Sequence, residues 1–459
     1  MKSDKELLSN FLIDHPETKF LEVMTVDVNG VLRGKRLVRE EFESLCSEGI
    51  KACRSAALLD FSGAPPTELE FGSRDGDPDC LAFGDLGSIV PVPWLKSPTA
   101  QLLMSLVEND GSACLLDPRN ILRSIEENFT KLGYKPVVAT ELEFFLTRED
   151  NAKVIVPIKG SIPGTSREQQ GIQFGALEDL WDLDEFLVSI YKACDEQKIP
   201  ARAALSEFAS GQFEINLNHV SDPVLACDHA VLIKRLIKGI ARAYGLTATF
   251  MSKPFAEEVG SGLHIHISLL NEEDKNIFSC DSGDPPPATS KKLKDAIGGL
   301  QVTMAESMAI FAPNANSYRR FTPGSYAPVN TAWGHNHRSV SLRIPPSNNC
   351  NTRIEHRSAG ADANPYLVMS AILAGIHHGI INELTPDKMI HSGQYYDPPI
   401  GKLPNTWDKA ITSLERNSIL KNYFPENYLD YFLIVKRSEY NRFQSEVSDR
   451  DYAWYLKLA

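Results

Sequence analysis

Four stretches of this 459-residue chain alternate apolar side chains with ionisable ones at a period of two. The first is ATELEFFL, residues 139–146. In an extended strand successive side chains point to opposite faces, so Glu141 and Glu143 share one face while Leu142, Phe144 and Leu146 share the other. Only a sheet covered on its apolar side can bury such a strand. Its other face then carries two like charges that repel and lose hydration. A cation between them resolves the conflict; a solvated edge strand is the plainer alternative.

The second stretch, SEFASGQFEINL (206–217), reads as a hairpin with a two-residue tip at 210–211. That register places Glu207 directly opposite Glu214, at the roughly 4.5–5.5 Å of cross-strand partners, whereas another register would separate them. In the third, GSGLHIHISL (260–269), His264, His266 and Ser268 share a face and Leu263, Ile265, Ile267 and Leu269 the other. The glycines ahead of it allow a ligand close to the backbone, though histidines satisfied within a core would give the same pattern. In the fourth, NTRIEHRSAG (351–360), Arg353, Glu355 and Arg357 alternate with Ile354 and His356. Upstream lie Arg319 and Arg320 in NSYRRF, and Arg338 and Arg343 in RSVSLRIP. Strand arginines are commonly solvated, but this density reads better as an anion-binding wall.

Five glutamates and a histidine suit two hard divalent cations, Mg²⁺ or Mn²⁺. With arginines beside them, the set is suited to phosphoryl transfer from a nucleotide. No P-loop does this work: GVLRGKRL (30–37) has the wrong spacing and lacks the Ser/Thr, and neither GxGxxG nor HExxH occurs.

The length predicts at least two domains. Residues 1–112 read as a β-rich unit, with a short helix over 4–14 and a hairpin in FLEVMTVDVNGVLRGKRL turning at Asn29 and Gly30. Asp117 as N-cap and Pro118 at the first helical position open a second unit, 113–459. It mixes strands with helices such as 222–244 and 290–311, and residues 281–290 (DSGDPPPATS) read as an exposed loop. A net charge of −13 argues against a general nucleic-acid binder. The eight cysteines form no CxxC pair, which fits a reducing compartment rather than a disulfide scaffold. The N-terminal residues show no signal-peptide core, and no apolar run approaches the ~18 residues of a membrane span. A cytoplasmic location is expected.

These motifs resemble, in order and over nearly the whole chain, the glutamine synthetase family. TELEFFL is similar to its GPEPEFF strand, EFASGQFEI to its E-x-A-x-x-GQ-x-E segment with one residue fewer, and GSGLHIHISL to NGSGMHxHxSL. NSYRRFTPGSYAPVNTAWG is similar to NSYKRLxPGxEAPxxxAW, and RIEHRSAGADANPYLVMSAILAG to RIExRxxDxxANPYLxxAAxLxAG. The resemblance implies an α+β protein, with an N-terminal β-grasp domain over 1–112 and a catalytic domain over 113–459 built on a curved antiparallel sheet with flanking helices. It implies a homo-oligomer, a dodecamer of two stacked hexameric rings, with each active site between adjacent subunits. The substrates it implies are glutamate, ATP and a small amine, with Mg²⁺ or Mn²⁺ bound as two ions per site. Carried over position by position, Glu143, Glu207 and Glu214 match the ligands of one ion. Glu141, His264 and Glu355 match those of the other, which bridges the ATP phosphates. Gly260 and Arg320 match the grip on glutamate. Arg338, Arg343, Arg353 and Arg357 match the cluster on the ATP phosphates and the developing phosphoryl group, with Arg357 also close to glutamate. Ser268 matches a residue near the adenine, and Asp60, in LLDFSG, an acid contributed by the neighbouring subunit.

The chain departs from the family at one informative place. Glutamine synthetases carry a glutamate before the AP of PGxEAP that helps bind and deprotonate ammonium; here Tyr326 stands there, in PGSYAP. A phenol offers no carboxylate to an ammonium ion. Val259 also stands where the family often has Asn. PGSYAP and EFASGQFE resemble the branch that joins glutamate to larger amines, the γ-glutamylpolyamine synthetases. Two other readings remain open at this point, a glutamine synthetase using ammonia and a non-enzymatic structural relative. Tyr396, in QYYDPP, resembles a segment adenylylated in some members, with an ordinary loop tyrosine as the alternative.

Overall fold

The computed structural model describes residues 3–72, 74–169, 174–280, 289–322, 325–391, 403–416 and 418–459. Tyr396 and most of the expected 281–290 loop lie outside them. The chain opens with α1 (Asp4–Asp14), whose N-cap Ser3 and Glu6 form a capping box. A mixed sheet follows, from β1 (Phe20–Val26), β2 (Leu32–Val38), β3 (Ile50–Cys53), β4 (Asp79–Gly84), β5 (Val90–Pro91) and β6 (Thr99–Val107), with α2 (Phe42–Glu48) between β2 and β3. Strand order is β2-β1-β6-β4-β3, with β1 and β6 parallel. The β1–β2 turn falls where the sequence places it: Gly30 has φ +75°, and the Asp27 carboxylate accepts from the backbone of Asn29 and Val31.

The second sheet has nine strands: β7 (Lys135–Glu149), β8 (Ile155–Pro157), β9 (Ala201–Ser206), β10 (Gln212–Leu217), β11 (Thr247–Thr249), β12 (Leu263–Leu270), β13 (Trp333–His335), β14 (Leu342–Ile344) and β15 (Ile354–His356). Its main order is β13-β14-β15-β12-β7-β10-β9, antiparallel except for the β13–β14 pair. Helices α3 (Pro118–Lys131), α4 (Leu177–Trp181), α5 (Asp184–Glu196), α6 (Pro223–Ala243), α7 (Lys291–Phe311), α8 (Pro365–Ile381), α9 (Trp407–Glu415), α10 (Tyr428–Ser445) and α11 (Asp449–Tyr455) flank it. Asp117 caps α3 and Pro118 opens it, as the sequence predicts. On the covered face Leu142, Phe144, Ile215, Leu263, Ile265, Ile267 and Ile354 are essentially without solvent contact. That burial fixes the strand faces, since a one-residue slip would turn every one of these side chains outward.

The hairpin differs from the expected register. Strand β9 ends at Ser206 and β10 begins at Gln212, so Phe213 pairs with Ser206 and Glu214 with Leu205, not with Glu207. The connection takes all of residues 207–211 instead of a two-residue tip. Its cause is a third strand: the Gly211 carbonyl accepts from Leu146 N of β7 at 2.8 Å, which holds Gly211 at φ +69°. Glu214 instead faces Glu143 across β10 and β7.

Candidate active site

Strand pairing gathers the ionisable residues onto the uncovered face. His264 of β12 pairs with Glu141 of β7, Glu143 pairs with Glu214 of β10, and Glu355 of β15 lies between His266 of β12 and Arg343 of β14. Ligand atoms of Glu141, His264 and Glu355 lie within 4.8 Å of one another, and so do those of Glu143, Glu214 and His264. Glu207 belongs to neither group but lines the same cavity, of about 320 Å³, from the 207–211 turn.

The electrostatics divide the cluster. Burial raises the affinity of Glu141 for a proton, but His266 Nε2 at 2.8 Å and His264 Nδ1 at 3.4 Å outweigh it and hold the carboxyl far below the ordinary range. Burial likewise opposes ionisation of Glu355, yet the Arg357 guanidinium, both histidines and Arg343, at 2.5 Å, bring it down to about 2. Glu207 and Glu214 go the other way. Burial, then the Glu143 charge, pushes Glu207 up to about 8. Burial together with Glu141, Glu143 and Glu207 raises Glu214 well above a normal carboxylate. A group of acids that must keep protons to coexist is a group short of positive charge, and divalent cations on these oxygens would supply it.

The remaining expected residues fall on both sides of this cluster. Gly260, Arg320, Tyr326, Arg338, Arg343 and Arg357 line the first cavity with the acids. Arg320 is buried, one terminal nitrogen donates to the Ser358 carbonyl at 3.4 Å and its Nε meets no partner, so a guanidinium with a free donor is held beside the cluster. Gly260 sits against it, where an added Cβ would fall 2.4 Å from Arg320 Cγ. Ser268 and Arg353 line a second cavity, of about 860 Å³, together with His266. Glu141 lines both. Glu141 is therefore the acid shared by two adjoining pockets, while the other acids of the cluster line only the first of the two.

Asp60 stands apart. It lines a third cavity, of about 1030 Å³, that holds none of the cluster. Its Oδ1 accepts from Ser62 N at 2.8 Å and Ala64 N at 3.3 Å, and its Oδ2 lies 3.6 Å from Arg442.

Two cavity residues were missed in the sequence. Phe208 stacks on Tyr326 with ring centroids 5.1 Å apart, and Phe174 stacks on Phe208 at 4.3 Å. All three line the first cavity. The available signal was Phe208 itself, next to Glu207 in a motif already singled out; nothing in the sequence pattern marks Phe174.

The family description "glutamine synthetase, catalytic domain" matches residues 115–455. The γ-glutamylputrescine synthetase PuuA of Escherichia coli K12 is 36% identical over 98% of this chain and 94% of its own length. A glutamate–isopropylamine ligase of a Pseudomonas species is 32% identical, over 94% of each chain. A solved GmaS/ADP complex superposes with a TM-score of 0.83 at 26% identity, covering 98% of this chain and 99% of that one. On these matches and on the ordered motifs, the chain belongs to the glutamine synthetase family.

Proposed function

We propose that the protein is an ATP-dependent ligase that joins the γ-carboxylate of glutamate to an amine, a polyamine or other alkylamine, releasing ADP and phosphate. The observation that carries this reading is Glu141, an acid of the cluster that lines both of two adjoining pockets. ATP in the Ser268 and Arg353 pocket would direct its terminal phosphate at Glu141, and glutamate in the Arg320 pocket would meet it from the other side. The relatives named for putrescine and isopropylamine support the amine.

In this reading Glu141, His264 and Glu355 hold one divalent cation and Glu143, Glu207 and Glu214 the other. Bound there, Mg²⁺ or Mn²⁺ would neutralise charge on the transferring phosphoryl group. Arg320 and the Gly260 backbone orient glutamate, so that its γ-carboxylate oxygen attacks the terminal phosphorus and ADP leaves. Arg338, Arg343, Arg353 and Arg357 face the negative charge that spreads over the phosphoryl oxygens during transfer. The amine nitrogen then attacks the γ-carbonyl carbon of γ-glutamyl phosphate, phosphate departs, and the nitrogen gives up a proton. Asp60 of the neighbouring subunit is the proposed acceptor.

The same proposal includes a β-grasp unit over 1–112, a catalytic unit over 113–459, and assembly into stacked hexameric rings. Support for assembly comes from the C-terminal end, where Trp454, Leu456 and Leu458 are 59%, 75% and 85% exposed. Burial of these side chains against a neighbouring subunit would remove that apolar surface from water. No helix among the described residues is long and apolar enough to cross a membrane.

The test is ADP release with glutamate and a panel of amines. Turnover is expected to need glutamate, an amine and a divalent cation. For at least one amine of several carbons, kcat/KM is expected to exceed that for ammonium by about tenfold or more, equivalent to about 1.4 kcal/mol. Ammonium as the best nucleophile would return the protein to plain glutamine synthesis.

A further inference from the structure

Three aromatic rings from three separate segments stack nearly parallel along one side of the acid-lined cavity. Phe174 precedes α4, Phe208 lies in the 207–211 turn, and Tyr326 lies in the segment between residues 325 and 332. The interplanar angles are 12° for Phe174 with Phe208 and 24° for Phe208 with Tyr326. Each ring keeps a large open surface: 44% for Phe174, 37% for Phe208 and 50% for Tyr326. Leu205, Val259 and Ala327 complete the apolar lining. Because Phe208 directly follows Glu207, this wall begins where the carboxylates end.

Resting on the ligase reading, we propose that Phe174, Phe208 and Tyr326 form the amine subsite, and that it selects primary monoamines with an apolar chain over both ammonium and diamines. An amine presents a polar nitrogen to the reacting centre and a carbon chain behind it. The chain covers open ring surface as it leaves water, and ammonium has no chain to do so. A diamine brings a second ammonium into the same space. All acids lining this cavity among the described residues belong to the cluster, namely Glu141, Glu143, Glu207, Glu214 and Glu355. With these acids committed to the two proposed cations, none is left to pair with a second ammonium, and the other charged side chains lining the cavity include the arginines Arg320, Arg338, Arg343 and Arg357. Three uncharged rings with no uncommitted acid beside them favour a chain that ends in carbon.

The experiment measures kcat/KM for methylamine, ethylamine, propylamine and n-butylamine, and for putrescine, by ADP release. In the unaltered protein each added methylene is expected to raise kcat/KM by about threefold, and n-butylamine is expected to exceed putrescine. In Phe174→Ala and Phe208→Ala the increment is expected to fall to less than about 1.5-fold per methylene, as the covered surface is removed. Should an alanine variant fail to fold, Phe208→Leu, which keeps an apolar but not a flat surface, is expected to lower the increment partway. An increment unchanged in these variants, or putrescine preferred over n-butylamine, overturns the subsite while leaving the ligase intact. No ADP release with any amine, ammonium included, overturns the ligase reading itself.

Discussion

Glu207 and Glu214 hold protons that an unfolded chain would release, because burial and neighbouring acids disfavour their charge. For Glu207 the folded value is about 8 against an ordinary 4.5, so the folded, metal-free protein binds the proton more tightly than the unfolded one. That contribution to stability is complete below about pH 4.5 and is lost as the pH rises through about 8. A divalent cation would replace the proton, so its stabilising effect should grow over the same interval. Thermal melts with and without Mg²⁺ are expected to differ more at about pH 8.5 than at about pH 6. Equal shifts would mean that the cation does not bind at these carboxylates. Glu214→Gln follows from the same reasoning. A neutral amide of the same shape replaces an acid that is protonated in the metal-free protein, so melting without metal should move by no more than about 2 °C. Turnover should drop on the order of 100-fold, and the Mg²⁺-dependent shift should shrink. Wild-type turnover in this variant would remove Glu214 from the proposed ligands.

The 207–211 turn carries both an acid and a ring of the cavity, and its geometry hangs on Gly211. A Cβ there would fall 2.8 Å from the carbonyl oxygens of Ile158 and Leu146, at a φ that side chains rarely adopt. Gly211→Ala is therefore expected to cost about 2–3 kcal/mol in denaturant unfolding and to lower activity by displacing Glu207 and Phe208. Unchanged unfolding would show that the turn accommodates the side chain. This turn also marks the limit of what sequence reading reached. Strand faces were readable because period-two alternation is local: Glu141 with Glu143, and His264 with His266, need no knowledge of a partner strand. The pairing of β10 with β9 was not, because the Gly211 carbonyl is bonded by Leu146, far away in the chain. Nor was the aromatic stack, since Phe174, Phe208 and Tyr326 meet only after three loops have been positioned by different strands. The division of the acids among ions rested on family likeness alone. The fold puts His264 within reach of both groups and leaves Glu207 at the turn.

Asp60 is the residue at which the proposed assembly can be tested. Its carboxylate holds the loop around Ser62 and Ala64, and the cavity it lines contains none of the acids on the second sheet. Within one chain, then, the proposed proton acceptor and the proposed phosphoryl-transfer site belong to different pockets. A shared site resolves this if the Asp60 loop of one subunit meets the acid cluster of the next. Two inactive variants make the idea testable. Asp60→Asn removes the charge but keeps an oxygen to accept from the Ser62 and Ala64 backbone, so the loop should survive. Glu141→Ala removes a cluster acid from the other side. If each site takes its cluster from one subunit and Asp60 from its neighbour, random mixing after dissociation pairs an intact cluster with an intact Asp60 in roughly a quarter of the sites. Co-refolded mixtures should then recover up to about that fraction of wild-type turnover, while either variant alone stays inactive. Recovery should elute with the oligomer on a sizing column. Full activity in a monomer fraction, or no recovery in a mixed oligomer of normal size, would place the proton acceptor within a single chain and set Asp60 aside.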